Sequence, residues 1–488
     1  MKYTGSVKRN VIYQTTYEIF SMLIPFVLSP YISRVIGAEG VGIYSYRYSI
    51  AFYFTLVAAL GIKNYGNRTI AKCCNDREDL NRSFSNLITI QFIMSVLCVF
   101  SYVAYSLFFV DIAERIYAVL MIIQVVSSIF DISWFYFGIE NFRMTVAVNG
   151  FIKVLNLSAV FTFVRSRDDL GVYCFIMSLS ILAGQVILWF PLKKYVSYVR
   201  PKASEMRMHI RPLFVLFIPT VAVSLYKYMD KIMIGMLSSK TQLGFYENAE
   251  KVVLLPLTII ASFGTVMIPR MSGMVARNDT KTSIRYTKTS ALYVMGLAYA
   301  LSFGFIAVAG IFAPVYWGME FELSGDIIIG LSVTIPFIAF ANIIRTQYLI
   351  PNEKDKEYVI SVVGGAISNL LLNYMLIPYM GSIGATIATV VAEIVVCAIQ
   401  CMSVRQELPL WDMFVSSLPF LGFGFIMCAV VYWLGNLLTM SVASLLIMIM
   451  TGVAIYGTES GVFLYMTKEP VFMTLVRNIA NMVRGRNE

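Results

Sequence analysis

The sequence predicts an all-α integral membrane protein of about fourteen transmembrane helices, and three observations predict it. The 488 residues are 58% hydrophobic and only 14% charged, where a soluble domain is about half apolar and a quarter charged. Windows of about 20 mostly apolar residues, enough to cross a bilayer as helix, recur from end to end. Lysine and arginine gather in alternate connections, as expected of a multi-pass chain with one cytoplasmic face. A single soluble core does not grow large enough to absorb this much apolar surface.

The spans run roughly 11–33, 42–62, 84–110, 116–137, 145–164, 170–192, 212–236, 248–269, 289–313, 325–349, 358–377, 382–402, 413–435 and 441–466. The first follows a basic flank, MKYTGSVKRN. It is long, contains Glu18, Pro25 and Pro30, and ends without a small-residue cleavage site, so it reads as an uncleaved span. The connection after span two carries Lys63, Arg68, Lys72, Arg77 and Arg82. The one after span six carries Lys193, Lys194, Arg200, Lys202, Arg207 and Arg211. The one after span eight carries Arg270, Arg277, Lys281, Arg285 and Lys288. With an even number of spans, roughly 27 of the 38 basic residues fall on one side and roughly 5 on the other. That side is read as the cytoplasm, with both termini on it. The net charge of +10 is therefore a matter of membrane topology and calls for no nucleic-acid partner. Beyond span fourteen, Phe472, Leu475, Ile479 and Met482 share one helical face, which predicts a helix lying on the cytoplasmic membrane surface.

A short internal repeat divides the chain. IPF (24–26), IG (36–37), GIY (42–44), Gly61 and Arg68 are echoed by IPT (218–220), IG (234–235), GFY (244–246), Gly264 and Arg270. The copies are six spans apart, which fits two six-helix lobes in the same orientation. The expected domains are 1–211, the first lobe with its linker; 212–402, the second lobe; and 403–488, two further helices and the tail.

Candidate site residues are ionisable groups inside the spans, each costing at least a few kcal/mol at mid-bilayer unless it meets a partner or a wet cavity. The basic ones are Arg47, Lys153, Lys227, Lys231, Lys251 and Arg345. The acidic ones are Glu18, Asp131, Asp230, Glu250 and Glu393. Several lie in polar stripes at helical spacing: Gln14, Glu18, Ser21; Gln124, Ser128, Asp131; Thr145, Asn149, Lys153, Asn156; Thr220, Ser224, Lys227, Lys231. Stripes from both halves imply a hydrated central cavity. Arg47, Lys231, Glu250 and Lys251 stand near span ends, where snorkelling or a structural ion pair explains them equally well, and Asp230 is spaced to pair with Lys227. Basic groups in a cavity suit an anionic solute, and embedded carboxylates (Glu18, Asp131, Asp230, Glu393) suit coupling to H+ or Na+. The seven cysteines have neither metal-ligand nor disulfide spacing, and the one histidine, His209, lies in a basic connection. No metal, cofactor or catalytic residue is expected.

The segments SRVIGAEGVGIYS (33–45) and DKIMIG…GFYENAEK (230–251), within the stretches 25–72 and 226–272, resemble the bacterial oligosaccharide-lipid flippases that export O-antigen and capsule repeat units. These belong to the superfamily of MATE drug exporters and lipid II flippases. The resemblance covers nearly the whole chain. It implies two six-helix bundles in a V around a central cavity, plus two trailing helices. It implies movement of undecaprenyl-diphosphate-linked oligosaccharide from the cytoplasmic to the outer leaflet, by alternating access rather than ATP hydrolysis, for surface polysaccharide made with a polymerase machinery. The absence of a GxxxxGK[ST] motif agrees. It also implies cavity cations, a role mapped here to Arg34, Arg47, Lys153, Lys227 and Arg345, with Asn149 and Asn156 lining the same space. Arg34 stands at an outer span end, where it also suits an anchor. A MATE-like exporter of small cations, a lipid II flippase and a membrane polymerase or ligase are the competing readings. A cationic cavity disfavours the first. The last needs a large external loop, which this chain lacks.

Overall fold

A computed structural model describes residues 7–483, apart from the side chains of residues 7–20 and of a few others. Glu18 and Lys227, and Ile479 and Met482 of the tail, fall outside the described side chains. The described residues are helical throughout, with no strand among them. Two compact units divide the chain, 1–247 and 248–488.

The first unit opens with α1 (Val7–Ala59), bent at Gly37, whose φ of 70° and ψ of 178° suit a residue without Cβ. Its 53 residues are two helices joined at that kink, with about 80 Å of combined rise at about 1.5 Å per residue, against a hydrocarbon core of about 30 Å. The kinked pair carries both predicted first spans. The left-handed pair Leu60 and Gly61 ends it and starts α2 (Ile62–Cys73), a short amphipathic helix. Ile62, Gly66 and Ile70 form its buried face. Gly66 lets the Trp134 indole approach so closely that a Cβ would sit 2.6 Å from it.

Asp76 caps α3 (Arg77–Phe108), accepting from the backbone N–H groups of Glu78 and Asp79. The fourth predicted span is broken into α4 (Ile112–Leu120), α5 (Ile122–Ser127) and α6 (Ser133–Gly138), with extended backbone at Asp131 between them. α7 (Phe142–Phe163) and α8 (Leu170–Ile187) pack on each other, and α1 packs on α3, α7 and α9 (Ala203–Leu237). α10 (Lys240–Ala276) begins in this unit and continues into the next.

In the second unit α11 (Thr280–Trp317) is the central element, packed against α12 (Glu322–Ser332), α13 (Thr334–Ile344) and the later helices α15 (Leu410–Leu437) and α16 (Val442–Met466). α14 (Asp355–Val404) has 50 residues and bends at Gly381, φ 56°, so it too is long enough for two crossings. α17 (Pro470–Val483) is the tail helix, with Val471 and Leu475 exposed.

Among the described residues ten segments are long and apolar enough to cross a membrane, α14 counted once. α1 and α9 carry the three further predicted spans. The protein is an all-α, multi-pass membrane protein.

Candidate functional site

The tightest packing in the first unit joins the two copies of the repeat. A Cβ on Gly42 would lie 1.7 Å from the carbonyl oxygen of Lys240, and one on Gly244 would lie 1.9 Å from that of Ala38. The contact is reciprocal: Gly244 is the counterpart of Gly42 in the repeat, and Lys240 that of Ala38. Ser45 and Glu247, counterparts 202 residues apart, touch each other directly, the hydroxyl donating to Oε2 at 2.7 Å. Residue i meeting j while j′ meets i′ marks a two-fold contact, and a residue touching its own counterpart lies beside the axis.

Charged groups surround this crossing. Lys231 Nζ lies 2.8 Å from Glu247 Oε2, and the Tyr246 hydroxyl donates to Asp230 at 2.9 Å. Asp230 is buried. Arg47, 5% exposed, pairs with Glu114. It also donates to the Tyr105 hydroxyl at 3.4 Å and lies 5.1 Å from the Tyr46 ring. Lys240 stands 3.5 Å over the other side of the contact, on the Tyr46 ring centroid, and donates to the Gly235 carbonyl at 2.6 Å. Desolvated charges of this kind persist when they are paired or hydrogen-bonded: Arg47 and Lys231 have carboxylate partners, and Lys240 has a carbonyl and a ring. α1 and α9 also meet through Phe52 and Tyr228, stacked at 4.3 Å.

The stripe on α7 meets α8. Asn156 donates to Ser180 at 2.7 Å and lies 3.4 Å from the Met177 sulfur. Gly184 comes close to Asn149, whose Oδ1 would be 3.7 Å from a Cβ there. Lys153, half-buried, shares the stripe with them. The buried Gln185 Oε1 on α8 has no hydrogen-bond partner, which makes it a further polar group at this helix pair. Asp131 does something local: its carboxylate accepts from the Ser133 N–H at 3.0 Å and hydroxyl at 2.6 Å, capping α6. Arg34 is exposed.

In the second unit Arg345 begins a π-helical turn, Arg345–Leu349, a feature frequent at functional positions. It donates to the Tyr358 hydroxyl at 3.5 Å, its Nε has no partner, and among the described residues no carboxylate pairs with it. Gln347 in the same turn is fully buried, with both amide atoms unpartnered. Gly264 of α10 lies so close that a Cβ would be 2.3 Å from Asn342 Oδ1. Glu393 on α14 is half-buried. Glu114, Glu247, Gln347 and Glu459 are polar groups that the charge pattern did not single out. Glu114 and Glu247 stand at predicted span edges and Gln347 is uncharged, whereas Glu459 lies inside the last predicted span.

Titratable groups outside the predicted spans are shifted, His209 and Glu407 among them. Burial holds the His209 imidazole below its usual pKa, with its Nδ1 2.9 Å from the Tyr65 hydroxyl. The Lys354 ammonium, 2.6 Å from Glu407 Oε2, holds that carboxyl below its usual range.

A family profile described as "Polysaccharide biosynthesis protein" matches residues 7–275. Two relatives, from Shigella dysenteriae and Escherichia coli (strain K12), each carry the description "Putative O-antigen transporter". They are 20% identical over 413 residues and 22% identical over 407, each covering 82% of this chain and, respectively, 100% and 97% of the relative. Among solved structures, the lipid II flippase MurJ in an inward closed conformation superposes with a TM-score of 0.76 at 17% identity, over 94% of this chain and 100% of that one. An inward-facing multidrug resistance MATE family transporter gives 0.57 at 12%, over 81% and 98%. These likenesses establish the fold.

Proposed function

This chain belongs to the polysaccharide biosynthesis protein family, and from that premise we propose that it is a flippase. It moves undecaprenyl-diphosphate-linked oligosaccharide repeat units from the cytoplasmic to the outer leaflet of the bacterial cytoplasmic membrane. The observation that carries the reading is Arg345, an intramembrane guanidinium with no carboxylate partner among the described residues. A cation held that way suits a diphosphate. Lys153, Asn149 and Asn156 are proposed to meet the same substrate from the first lobe, residues 1–211. Lys227 and Arg34 stay candidates for that contact.

The mechanism is alternating access. Substrate enters from the cytoplasmic side with its headgroup in the cavity and its polyprenyl tail in lipid. The reciprocal crossing at Gly42 and Gly244 lies at the span ends that the basic-residue count places outside, and it supports a closed outer end. Opening outward then requires the Ser45–Glu247 hydrogen bond across the crossing to part. An H+ or Na+ gradient driving the return would act on Glu18, Asp230 or Glu393. Asp131 has a capping role that accounts for it equally well. The names of the relatives, and a fold shared with transporters, support transport rather than catalysis.

The test is deletion in the native host, followed by analysis of lipid-linked sugars and surface polysaccharide. Loss of surface polymer, with single diphosphate-linked repeat units accumulating on the cytoplasmic side, is expected. Unchanged surface glycan with increased sensitivity to small toxic cations overturns the reading in favour of a drug exporter.

A further inference from the structure

α16 carries a carboxylic group that the transport reading does not use. Glu459 stands about 10 Å inside the C-terminal end of this helix at about 1.5 Å per residue, within a predicted crossing of Val442–Met466. One of its oxygens, Oε2, is shut away from solvent and has no hydrogen-bond partner. Glu459 itself is half-buried, at the edge of the packed face of the helix. Tyr456, one turn earlier, donates its hydroxyl to the Gly296 carbonyl of α11 at 2.5 Å. Phe463, one turn later, meets Phe420 and Phe423 of α15 at 5.6 and 5.8 Å. Val453 and Val462 on the outer side are exposed, and in a membrane they face lipid.

No positive charge balances this carboxyl among the described residues. α11 brings the buried Tyr299 and Tyr293, whose hydroxyl is bonded to Glu469. α15 brings Ser417, buried and bonded to the Phe414 carbonyl, and Asp412, which is paired with Lys288 at 2.9 Å. Glu469 caps α17 through the Phe472 N–H at 2.8 Å, and Lys468 is exposed beyond the helix end. An ionised carboxylate left without a cation in hydrocarbon is costly, whereas a neutral acid is accommodated and can donate a hydrogen bond.

We propose that Glu459 is a membrane-embedded proton-binding site, occupied as the neutral acid while α16 is packed on α11 and α15. The exchange balances simply: the acid releases H+ to water when this face becomes hydrated, leaving the carboxylate, and takes it back on repacking. The site lies outside the two proposed six-helix lobes and is independent of which lipid-linked molecule is carried.

Dicyclohexylcarbodiimide, an apolar reagent, tests this on the full chain in phosphatidylcholine–phosphatidylglycerol vesicles. The acid adds across its N=C bond and the adduct rearranges to a stable N-acylurea, with nothing leaving. Peptide mass spectrometry is expected to find the adduct on Glu459 at pH 6, at least tenfold less at pH 9, and none at this position in E459Q. The exposed Glu78 is expected to take a water-soluble carbodiimide instead. No adduct on Glu459 at any pH, or labelling unchanged across the pH range, overturns the proposal. Protection by sodium at fixed pH overturns it in favour of a metal cation. The labelling needs no transport, so its failure is distinct from failure of the flippase reading.

Discussion

Replacing Gly42 by alanine should loosen the crossing between the two repeat copies, and the size of the effect follows from the contact. The new Cβ would start 1.7 Å from the Lys240 carbonyl oxygen and 2.6 Å from its carbon. Real Cβ atoms essentially never come nearer than about 3 Å, so the backbones must separate by more than about 1 Å. Both obstructing atoms are main chain, so no rotamer change relieves the clash. Overpacking of this kind costs about 1–3 kcal/mol or more, a ten- to hundred-fold shift away from the packed state. Gly244→Ala meets the Ala38 carbonyl at 1.9 Å and should behave the same way. Because both clashes sit at one two-fold contact, separating the helices for one largely clears the other. The double variant should therefore lose clearly less than the sum of the singles. Gly150→Ala, with nothing within 4 Å, is the control and should be neutral or slightly stabilising. Thermal unfolding of the purified proteins in detergent, together with surface polysaccharide from complemented deletion cells, reads both effects. If Gly42→Ala and Gly244→Ala match Gly150→Ala, or if their costs simply add, the reciprocal crossing is refuted.

Three further outcomes follow from the same geometry. Lys153→Glu and Arg345→Glu should each abolish surface polysaccharide export while membrane abundance stays at wild-type level; normal export with both reversed would sink the cationic-site reading. Glu114→Gln should destabilise by about 3 kcal/mol, because it leaves Arg47 buried without its counter-charge, while the double variant Arg47→Met/Glu114→Met should recover most of that loss. The check is the unfolding midpoint of the three proteins. The Lys354–Glu407 clamp should respond to acid. Its carboxyl is held below the usual range in the folded chain, so its contribution is present above the ordinary carboxylate pKa and disappears as pH falls through the lowered one. Amide exchange in 350–357 should rise at pH 3 but not at pH 6, and Lys354→Met should remove the difference.

The bulk of the fold was legible because a bilayer imposes one rule on every span: about 20 apolar residues and satisfied backbone. What escaped were places where a local side chain overrides that rule. The fourth span reads as continuous helix from composition, yet Asp131 turns back onto the Ser133 N–H and hydroxyl and breaks it. An Asp two residues before a Ser carries that signal, but an acidic residue inside a span reads first as a coupling group. Gly37 and Gly381 were visible as glycines, while their role as kinks joining successive helices depends on φ values of 70° and 56°. The π-turn at Arg345 has no sequence signature, since it comes from an inserted backbone register and not from residue type. The GIY and GFY words were recognisable as copies, but nothing in one dimension says that copies touch.

That contact changes how the intramembrane charges divide. Around the crossing, Arg47 is matched with Glu114 and Lys231 with Glu247, and the acidic partners come from the span edges. Pairing keeps those cations affordable in a dry contact, and because each pair lies within one proposed lobe, it can stay intact when the crossing parts. Arg345 differs: its neighbours are a tyrosine hydroxyl and ring, which attract a cation without neutralising it. A guanidinium held by an aromatic keeps its full charge for an incoming anion, and one committed to a carboxylate must first give up that partner. On this argument the paired cations brace the helices on either side of the crossing, and Arg345 is the cation proposed to meet the cargo. Arg345→Lys should separate the two roles, keeping the charge and losing the planar two-point donor. Export should fall severalfold with the unfolding midpoint unchanged; unimpaired export would mean that only the charge matters at this turn.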